Sequence, residues 1–542
     1  MYMRQIYFKQ LFVAFIALLC SVSATALTIK TDEGYRYKVI DDDALTVEFT
    51  SNGIRGYTDS IIVIPSKITY EGTTYDVVGI GSAAFRYSRN LKSVIIPSSV
   101  TSIAANAFVS CPKLTSITIP ESVETIDATA FARTDSLATV TFNNKVVADY
   151  GFTGLKNVII GKGVTTVSND AFAGCDSLGS IVVEDGNPVY DSRGNCNAII
   201  ETATNTLVKG CATTVIPENV ESIGDRAFYG CQGLTSITLP ESLTEISGVA
   251  FEGFTALETL TLNCKEIGDW GVLLGVKSSV KKIVIGESVE KIHERALYGI
   301  DSLNTIEVKA GNAVYDSRGN CNAIIETATN TLVKGCATTV IPENVESIGN
   351  RAFYGCQGLT SINLPEGLKT IENSAFYNCT ALANINFPQS ITSIATGAFE
   401  NSAWYQNLPD GEVYVGAILY CYKGTMPQGT TIEVKEGTKY IADGVFFWCS
   451  GLTGITLPES LKGIGKEAFT YCNNLTSVVI PNNVTTIGVR AFYGCSDIKN
   501  LTIGNGVEYI GASAFDNCSS LTDIAIPNSV TTIGDRAFEN CI

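Results

Sequence analysis

The stretch LTSVVIPNNVTTIGVRAFYGC, Leu475–Cys495, decides the fold, because near-copies of it surround it at a fixed step. Its first half alternates, so Val478 and Ile480 share one face of a short strand. Pro481 has no N–H to donate and ends that strand, after which Val484 and Ile487 resume the apolar side. The closing Ala-Phe-x-x-Cys suits one helical or 3-10 turn. Working outward, Phe at the slot of Phe492 recurs at Phe85, Phe108 and Phe131, at Phe228 and Phe251, at Phe353, Phe376 and Phe399, and at Phe446, Phe469, Phe515 and Phe538, with a step of 23 inside each group. Phe172 belongs to the series, Leu297 replaces the ring in HERALYGI, and Leu274 falls midway between Phe251 and Leu297. About seven apolar side chains per unit, at roughly 2 kcal/mol each, cannot offset a backbone entropy of roughly 1–2 kcal/mol per residue. A lone unit is therefore expected to stay unfolded, and stacked units to bury one another's faces. The expectation is an elongated, right-handed and gently curved solenoid of about seventeen turns, mainly β with short helical or 3-10 turns.

The irregular steps carry as much information. Phe172 to Phe228 and Leu297 to Phe353 are both 56 residues, one period plus a 33-residue insertion. Each insertion holds YDSRGNCNAIIETATNTLVKGC, at Tyr190–Cys211 and again, letter for letter, at Tyr315–Cys336. The text that follows, as far as Glu241 and Glu366, differs only by Asp225 against Asn350 and Thr238 against Asn363. A whole block of repeats has been duplicated together with its insertion. CNAIIE and TLVKGC are apolar enough to be strands around a TATN turn, so β-hairpin islands are expected at about 185–216 and 310–341. GEVYVGAILYCYKG alternates in the same way and places a third at about 402–434.

The first 26 residues read separately: Arg4 and Lys9 precede the apolar run LFVAFIALLC, and Ala24-Thr25-Ala26 offers small residues for a signal peptidase. This is a secretory leader, leaving a mature chain from about Leu27; the run is too short to span about 30 Å of hydrocarbon. Acylation at Cys20 is disfavoured by the bulk of Leu19. No other apolar run reaches the length of a membrane helix, so the chain is expected to be secreted or held at the cell surface. The formal charge of −17 becomes −19 once Arg4 and Lys9 are removed, and with no Lys/Arg run nucleic acid is a poor partner. The chain stops at Ile542 just after a Cys slot, without the polar cap that usually protects a last coil, and reads as one that continues.

Seventeen cysteines in an exported chain raise the question of disulfides. Cys111, Cys175, Cys231, Cys356, Cys379, Cys449, Cys472, Cys495, Cys518 and Cys541 share one slot of the repeat, which also accepts Ser88, Thr134, Phe254, Ile300 and Ser402. Pairing cannot be the purpose of such a slot, and buried free thiols are expected there. Cys196 and Cys211, and likewise Cys321 and Cys336, bracket the hairpins and would face each other across the turn, so cross-strand disulfides are possible pairs. Enzyme chemistry finds little support. The sole histidine, His293, stands where other repeats have a turn Gly, and neither tandem CxxC nor GxxxxGK[ST] occurs, so no metal or cofactor is expected. Paired carboxylates remain conceivable among 54 acidic residues, but Glu121, Glu218, Glu241, Glu343 and Glu459 recur at one turn position, the mark of a solvated edge.

The repeat L-x-x-I-x-I-P-x-x-V-x-x-I-G-x-x-A-F-x-x-C resembles that of the BspA-like leucine-rich repeat proteins, surface or secreted proteins of bacteria that live with animal hosts. The resemblance runs from about Ile80 to the last residue, and Tyr35–Phe85 looks like the family's entry, a capping β segment assigned here to 27–79. It implies an adhesin-like role toward host matrix or microbial surface proteins and brings no catalytic residues. Two candidate binding regions follow from the residues themselves. Ser116, Thr118, Ser236, Thr238, Ser361, Asn363, Gly454, Thr456, Asn500 and Thr502 fall between the apolar strand positions, forming a sheet face of short hydroxyls and amides with few charges. They are equally compatible with a merely solvated strand face. Trp404, Tyr405, Tyr414, Tyr420, Tyr422, Phe446, Phe447 and Trp448 gather in or beside the third island, either as glue between hairpin and coil or as a pocket for a glycan or a partner's apolar side chain. The reading is a non-catalytic, adhesin-like binding solenoid; the alternative is a glycan-binding component of a surface nutrient-uptake system.

Overall fold

The structure, a computed structural model, describes residues 27–253, 255–268, 279–297, 300 and 302–541. The leader of residues 1–26, Leu274 and Phe254 lie outside the described residues. The chain is a mainly-β solenoid, and its turn is best seen at Leu475–Cys495. Strand Ser477–Ile480 turns Val478 and Ile480 inward, as the alternation requires, and Pro481 ends it. A second strand of two residues, Thr486–Ile487, follows after the Asn-Asn corner. Each strand pairs in parallel with its equivalent one period on, Ser477 opposite Asn500 and Thr486 opposite Tyr509. Every residue thus lies against its own counterpart, and the turn's two strands belong to two separate ladders. The longest unbroken ladder of the second kind runs from Tyr440–Ile441 through Gly463–Ile464, Thr486–Ile487 and Tyr509–Ile510 to Thr532–Ile533.

This register turns consensus positions into columns. Phe492 lies 4.8 Å from Phe469 and 5.2 Å from Phe515, ring centroid to ring centroid and nearly parallel. Its N–H donates to the Ala514 carbonyl at 2.7 Å, and Phe469 does the same to Ala491 at 2.7 Å. The Cys slot has a matching purpose. The thiol of Cys495 donates to the Phe469 carbonyl at 3.0 Å, as those of Cys111, Cys379, Cys472 and Cys518 do to the Phe of their own preceding turn at 3.1–3.3 Å. Thr134, in the same slot, makes that bond to Phe108 at 2.9 Å. In these turns the slot holds a small side chain with a donor, while Ile300 fills it with an aliphatic group.

The Ala-Phe-x-x-Cys segment departs from expectation. It is a run of linked β-turns, Tyr493 N–H to Arg490 O at 3.1 Å and Cys495 N–H to Phe492 O at 3.2 Å, without a helix. Left-handed residues interrupt it twice per turn, at Arg490 (φ 54°) and Gly494 (φ 69°). Elsewhere these slots hold Arg226, Arg351 and Arg536, and Asn378, Asn517 and Asn540, all at positive φ. Gly and Asn tolerate that region; larger side chains are strained in it.

The islands are hairpins joined to the second ladder. In the first, Ile199–Glu201 pairs antiparallel with Thr206–Lys209, which then pairs in parallel with Ser222–Ile223. The twin repeats this at Ala323–Glu326 and Thr331–Gly335, and the third island pairs Gly411–Val415 with Ile418–Lys423. Gly210 and Gly335 let the hairpin backbone lie against a ring: a Cβ on Gly335 would fall 2.2 Å from Cε1 of Phe353. Lys209 is buried, with Nζ donating to the carbonyls of Asn169 and Arg226 at 3.2 and 3.1 Å, and burial pushes its pKa down. The substitution between the duplicated blocks also has a cause. Asp225 accepts from the Ser247 hydroxyl, whereas the side-chain amide of Asn350 donates to Glu294 at 3.0 Å, beside a Glu372 held by the Asn350 backbone N–H at 2.9 Å, where a carboxylate would be repelled.

The cross-strand disulfides are not formed; all four cysteines are free thiols. A β-bulge is the reason. The register that sets Ile200 opposite Leu207 slips by one residue to set Ile199 opposite Lys209, which carries Cys211 past Cys196 to Asn197, whose carbonyl its thiol reaches at 3.3 Å. The same slip lies between Ile324 and Ile325, and Cys336 meets the Asn322 carbonyl at 3.6 Å.

At the N-terminal end, Thr28–Lys30, Arg36–Asp41 and Thr46–Thr50 form an antiparallel meander whose last strand pairs in parallel with Thr73–Ile80. Two compact units result, one running to Thr235 and including Glu245–Ala256, the other made of Ser236–Thr244 and Leu257 onward. One buried cluster spans Ile29 to Cys211 within the first unit, and another spans Cys321 to Ala537 within the second.

Candidate functional site

All nine strand-face candidates, Ser116, Thr118, Ser236, Thr238, Ser361, Asn363, Thr456, Asn500 and Thr502, are exposed and sit between buried neighbours or strand ends. Parallel pairing aligns them into rows. Ser116, Thr139, Asn157 and Ser180 stand side by side in the first unit. In the second unit Ser236 and Thr259 lead to Lys282 and Thr305, and Thr238 and Thr261 lead to Val284 and Glu307. The face is therefore less neutral than its consensus. Lys282 and Lys309 both reach Glu307, at 2.8 and 2.7 Å, and hydrogen bonds from the two ammonium groups pull that carboxyl down to about 2. Ile61, Val63, Ile95, Val182 and Val479 add exposed aliphatic side chains, in turns where a β-branched residue replaces the Ser or Thr.

The aromatic candidates separate by burial. Trp404 packs its ring 5.1 Å from Phe399 and 5.3 Å from Phe387, and its backbone N–H donates to the Leu382 carbonyl at 2.6 Å, so it fastens the island to the coil. Tyr420 is buried, and its hydroxyl accepts the Phe399 N–H at 3.2 Å. Its edge nevertheless joins Tyr405, Tyr422, Phe447 and Trp448 around a cleft of about 500 Å³. Glu400 and Asp443 are the charged residues of this lining, and no Lys, Arg or His belongs to it. Burial, reinforced by Glu467, raises the Asp443 carboxyl against the opposing pull of the Lys466 amide and ammonium. Burial likewise pushes the Tyr405 hydroxyl up to about 12.

Phe447 and Trp448 are 46% and 61% exposed, far from the usual fate of large rings in this chain. Trp448 occupies the second left-handed slot, at φ 60°, a backbone that a bulky residue adopts at a cost of about 1–2 kcal/mol. Among the cleft residues that escaped the sequence reading are Glu400, Asp443 and Gly444. The signal was present in GVFFWC, which departs from the usual RAFYGC by losing the Arg and gaining a ring.

A second hollow, of about 660 Å³, lies beside the first island; in it Arg193 meets Asp191 at 2.6 Å and Asn205 at 2.9 Å, and Glu184 and Asp185 complete the charged lining. His293 is exposed on its turn, and no group of three or more His, Cys, Asp or Glu suited to a metal occurs among the described residues. No helix of those residues is long and apolar enough to cross a membrane.

Among solved structures, a leucine-rich repeat protein from Bacteroides ovatus is similar, at 24% identity over 91% of this chain and 94% of that one, with a TM-score of 0.27. A leucine-rich cell surface protein from Faecalibacterium prausnitzii is similar at 21% identity over 92% and 95% of the two chains, with a TM-score of 0.21. Comparison with curated proteins finds no match. The family model of the BspA-type leucine-rich repeat region matches residues 77–193, 208–321, 333–409 and 419–542. That span takes in the repeats and much of each island, and the chain belongs to the BspA-type leucine-rich repeat family.

Proposed function

We propose that this protein is exported by its leader and works at the cell surface or beyond it as a non-catalytic, adhesin-like binder of host matrix or microbial surface proteins. The observation that carries the reading is the set of in-register rows of exposed or half-buried Ser, Thr and Asn on the parallel ladders. Such rows present hydrogen-bonding groups on rigid backbone, so an extended partner loses little entropy on their side of the interface. Family membership supports protein binding in general, and the host or microbial partner is our inference. Glycan binding for nutrient uptake is the second reading. It draws on the aromatic cleft alone, and the strand rows contribute no ring for a sugar to stack on.

The test is a screen of the mature chain against purified matrix proteins and a glycan array. Replacing Ser236, Thr238, Ser361 and Asn363 by Lys is expected to reduce capture of a matrix protein by about tenfold or more with an unchanged circular dichroism spectrum. Capture that survives this change, or glycan binding without protein binding, would discard the strand-face reading.

A further inference from the structure

The chain repeatedly solves one small problem in the same way. In some turns the first left-handed slot, held elsewhere by Ala83, Asn106, Ser374, Glu467 or Ser513, carries an Arg whose guanidinium lies over a Tyr one residue past the column Phe. Arg226 covers Tyr229 at 5.6 Å and Arg490 covers Tyr493 at 5.7 Å. Carboxylates complete the setting: Asp170 and Glu252 reach Arg226 at 2.7 and 2.8 Å, and Glu467 reaches Arg490 at 3.8 Å. A guanidinium suits this niche because its plane stacks on a ring while its edge donates to carboxylates.

In the turn that follows the third island, rings and carboxylates are present without an Arg. Gly444 takes its slot, at φ 64°, where a Cβ would fall 2.9 Å from Oγ1 of Thr396. Phe447 replaces the Tyr and Trp448 adds a ring at the next position, while Glu400, in the preceding turn, and Asp443 line the same cleft. Other rings of the island already have cations, Lys423 over Tyr405 at 5.6 Å and Lys435 over Tyr414 at 4.1 Å. Among the described residues none lies over Trp448, whose ring neighbours are Tyr471 at 4.5 Å and Phe447 at 6.3 Å. Trp448 stands at the slot that Asn378, Asn517 and Gly494 hold in other turns and that Tyr87 and Tyr471 also fill with a ring, so the largest ring of this column opens on the cleft.

We propose that the cleft between Trp448, Phe447, Glu400 and Asp443 binds an arginine side chain of a protein partner, which supplies from outside the guanidinium that Gly444 withholds. This deepens the protein-binding reading and rests on it, but its site is separate from the strand rows. A chain of net charge −17 would also draw a basic partner toward it.

The experiment titrates the mature chain with a peptide of alternating Arg and Gly, following tryptophan fluorescence and calorimetric heat. The same peptide with citrulline, equal in shape and uncharged, is the control. Binding with fluorescence change is expected for the Arg peptide, and at least about tenfold weaker binding for the citrulline one. Trp448→Asn, which restores a residue natural to that slot, is expected to weaken binding by about tenfold while leaving the melting temperature unchanged or higher. Glu400→Gln and Asp443→Asn should each weaken it about threefold or more, whereas Glu124→Gln, an equal loss of charge at an exposed site in the other unit, should not. Equal binding of the citrulline peptide, an equal loss with Glu124→Gln, or Trp448→Asn that lowers the melting temperature and spares binding would overturn the proposal. So would a neutral oligosaccharide that binds through Trp448 while the Arg peptide does not. Loss of matrix-protein capture in the strand-face Lys variant with peptide binding intact would separate the two sites.

Discussion

At the scale of single residues, the Cys slot shows how a repeat chooses a side chain. Cys495 is fully buried and donates to a carbonyl of the preceding turn, so volume and donor both count. Cys495→Thr, by analogy with Thr134, is expected to cost under about 1 kcal/mol, and Cys495→Val, of similar shape without the donor, about 1 kcal/mol more. Hydrogen exchange at the amides of that turn checks the difference. Burial pushes Cys111, Cys175, Cys231 and Cys518 from the usual 9.0 up to about 12. A thiol held above its unfolded pKa gives stability that is intact below about pH 9 and lost as pH rises toward about 12. The fold is therefore expected to weaken in that alkaline window. Iodoacetamide near neutral pH should label these four thiols only after denaturant is added.

At the scale of the element, the islands depend on a bulge and a glycine. The bulge sets Cys211 and Cys336 against Asn carbonyls, so electrospray masses with and without reductant should agree, and all four island thiols should alkylate once unfolded. Gly335 allows its strand to lie against Phe353 and close that end of the Phe column. Gly335→Ala is expected to destabilise the second island by about 1–3 kcal/mol, read as faster exchange at Leu332–Gly335 with little change in turns many repeats away.

At the scale of the whole molecule, each turn contacts chiefly its neighbours, and the chain holds two compact units with separate buried clusters. Stability should then accumulate by nearest-neighbour terms and not as one all-or-none transition. Calorimetry is expected to give a total unfolding enthalpy larger than the van't Hoff value, and a single two-state peak would contradict that. A peptide of one 23-residue unit, such as Leu475 onward, should show no strand signal by circular dichroism.

The sequence by itself determined the period, the inward face of each strand, the Pro that ends it, the islands and the duplication. These follow from local alternation and self-similarity, which need no knowledge of distant partners. Only the tertiary structure decided the bulge that separates Cys196 from Cys211, the left-handed turns in place of a helical one, and the meeting of Glu400 with Trp448. A one-residue slip in register leaves no trace in composition. Residues 48 positions apart become neighbours only because coils stack, and the empty Arg slot at Gly444 has meaning only once its equivalents elsewhere are seen lying over their rings.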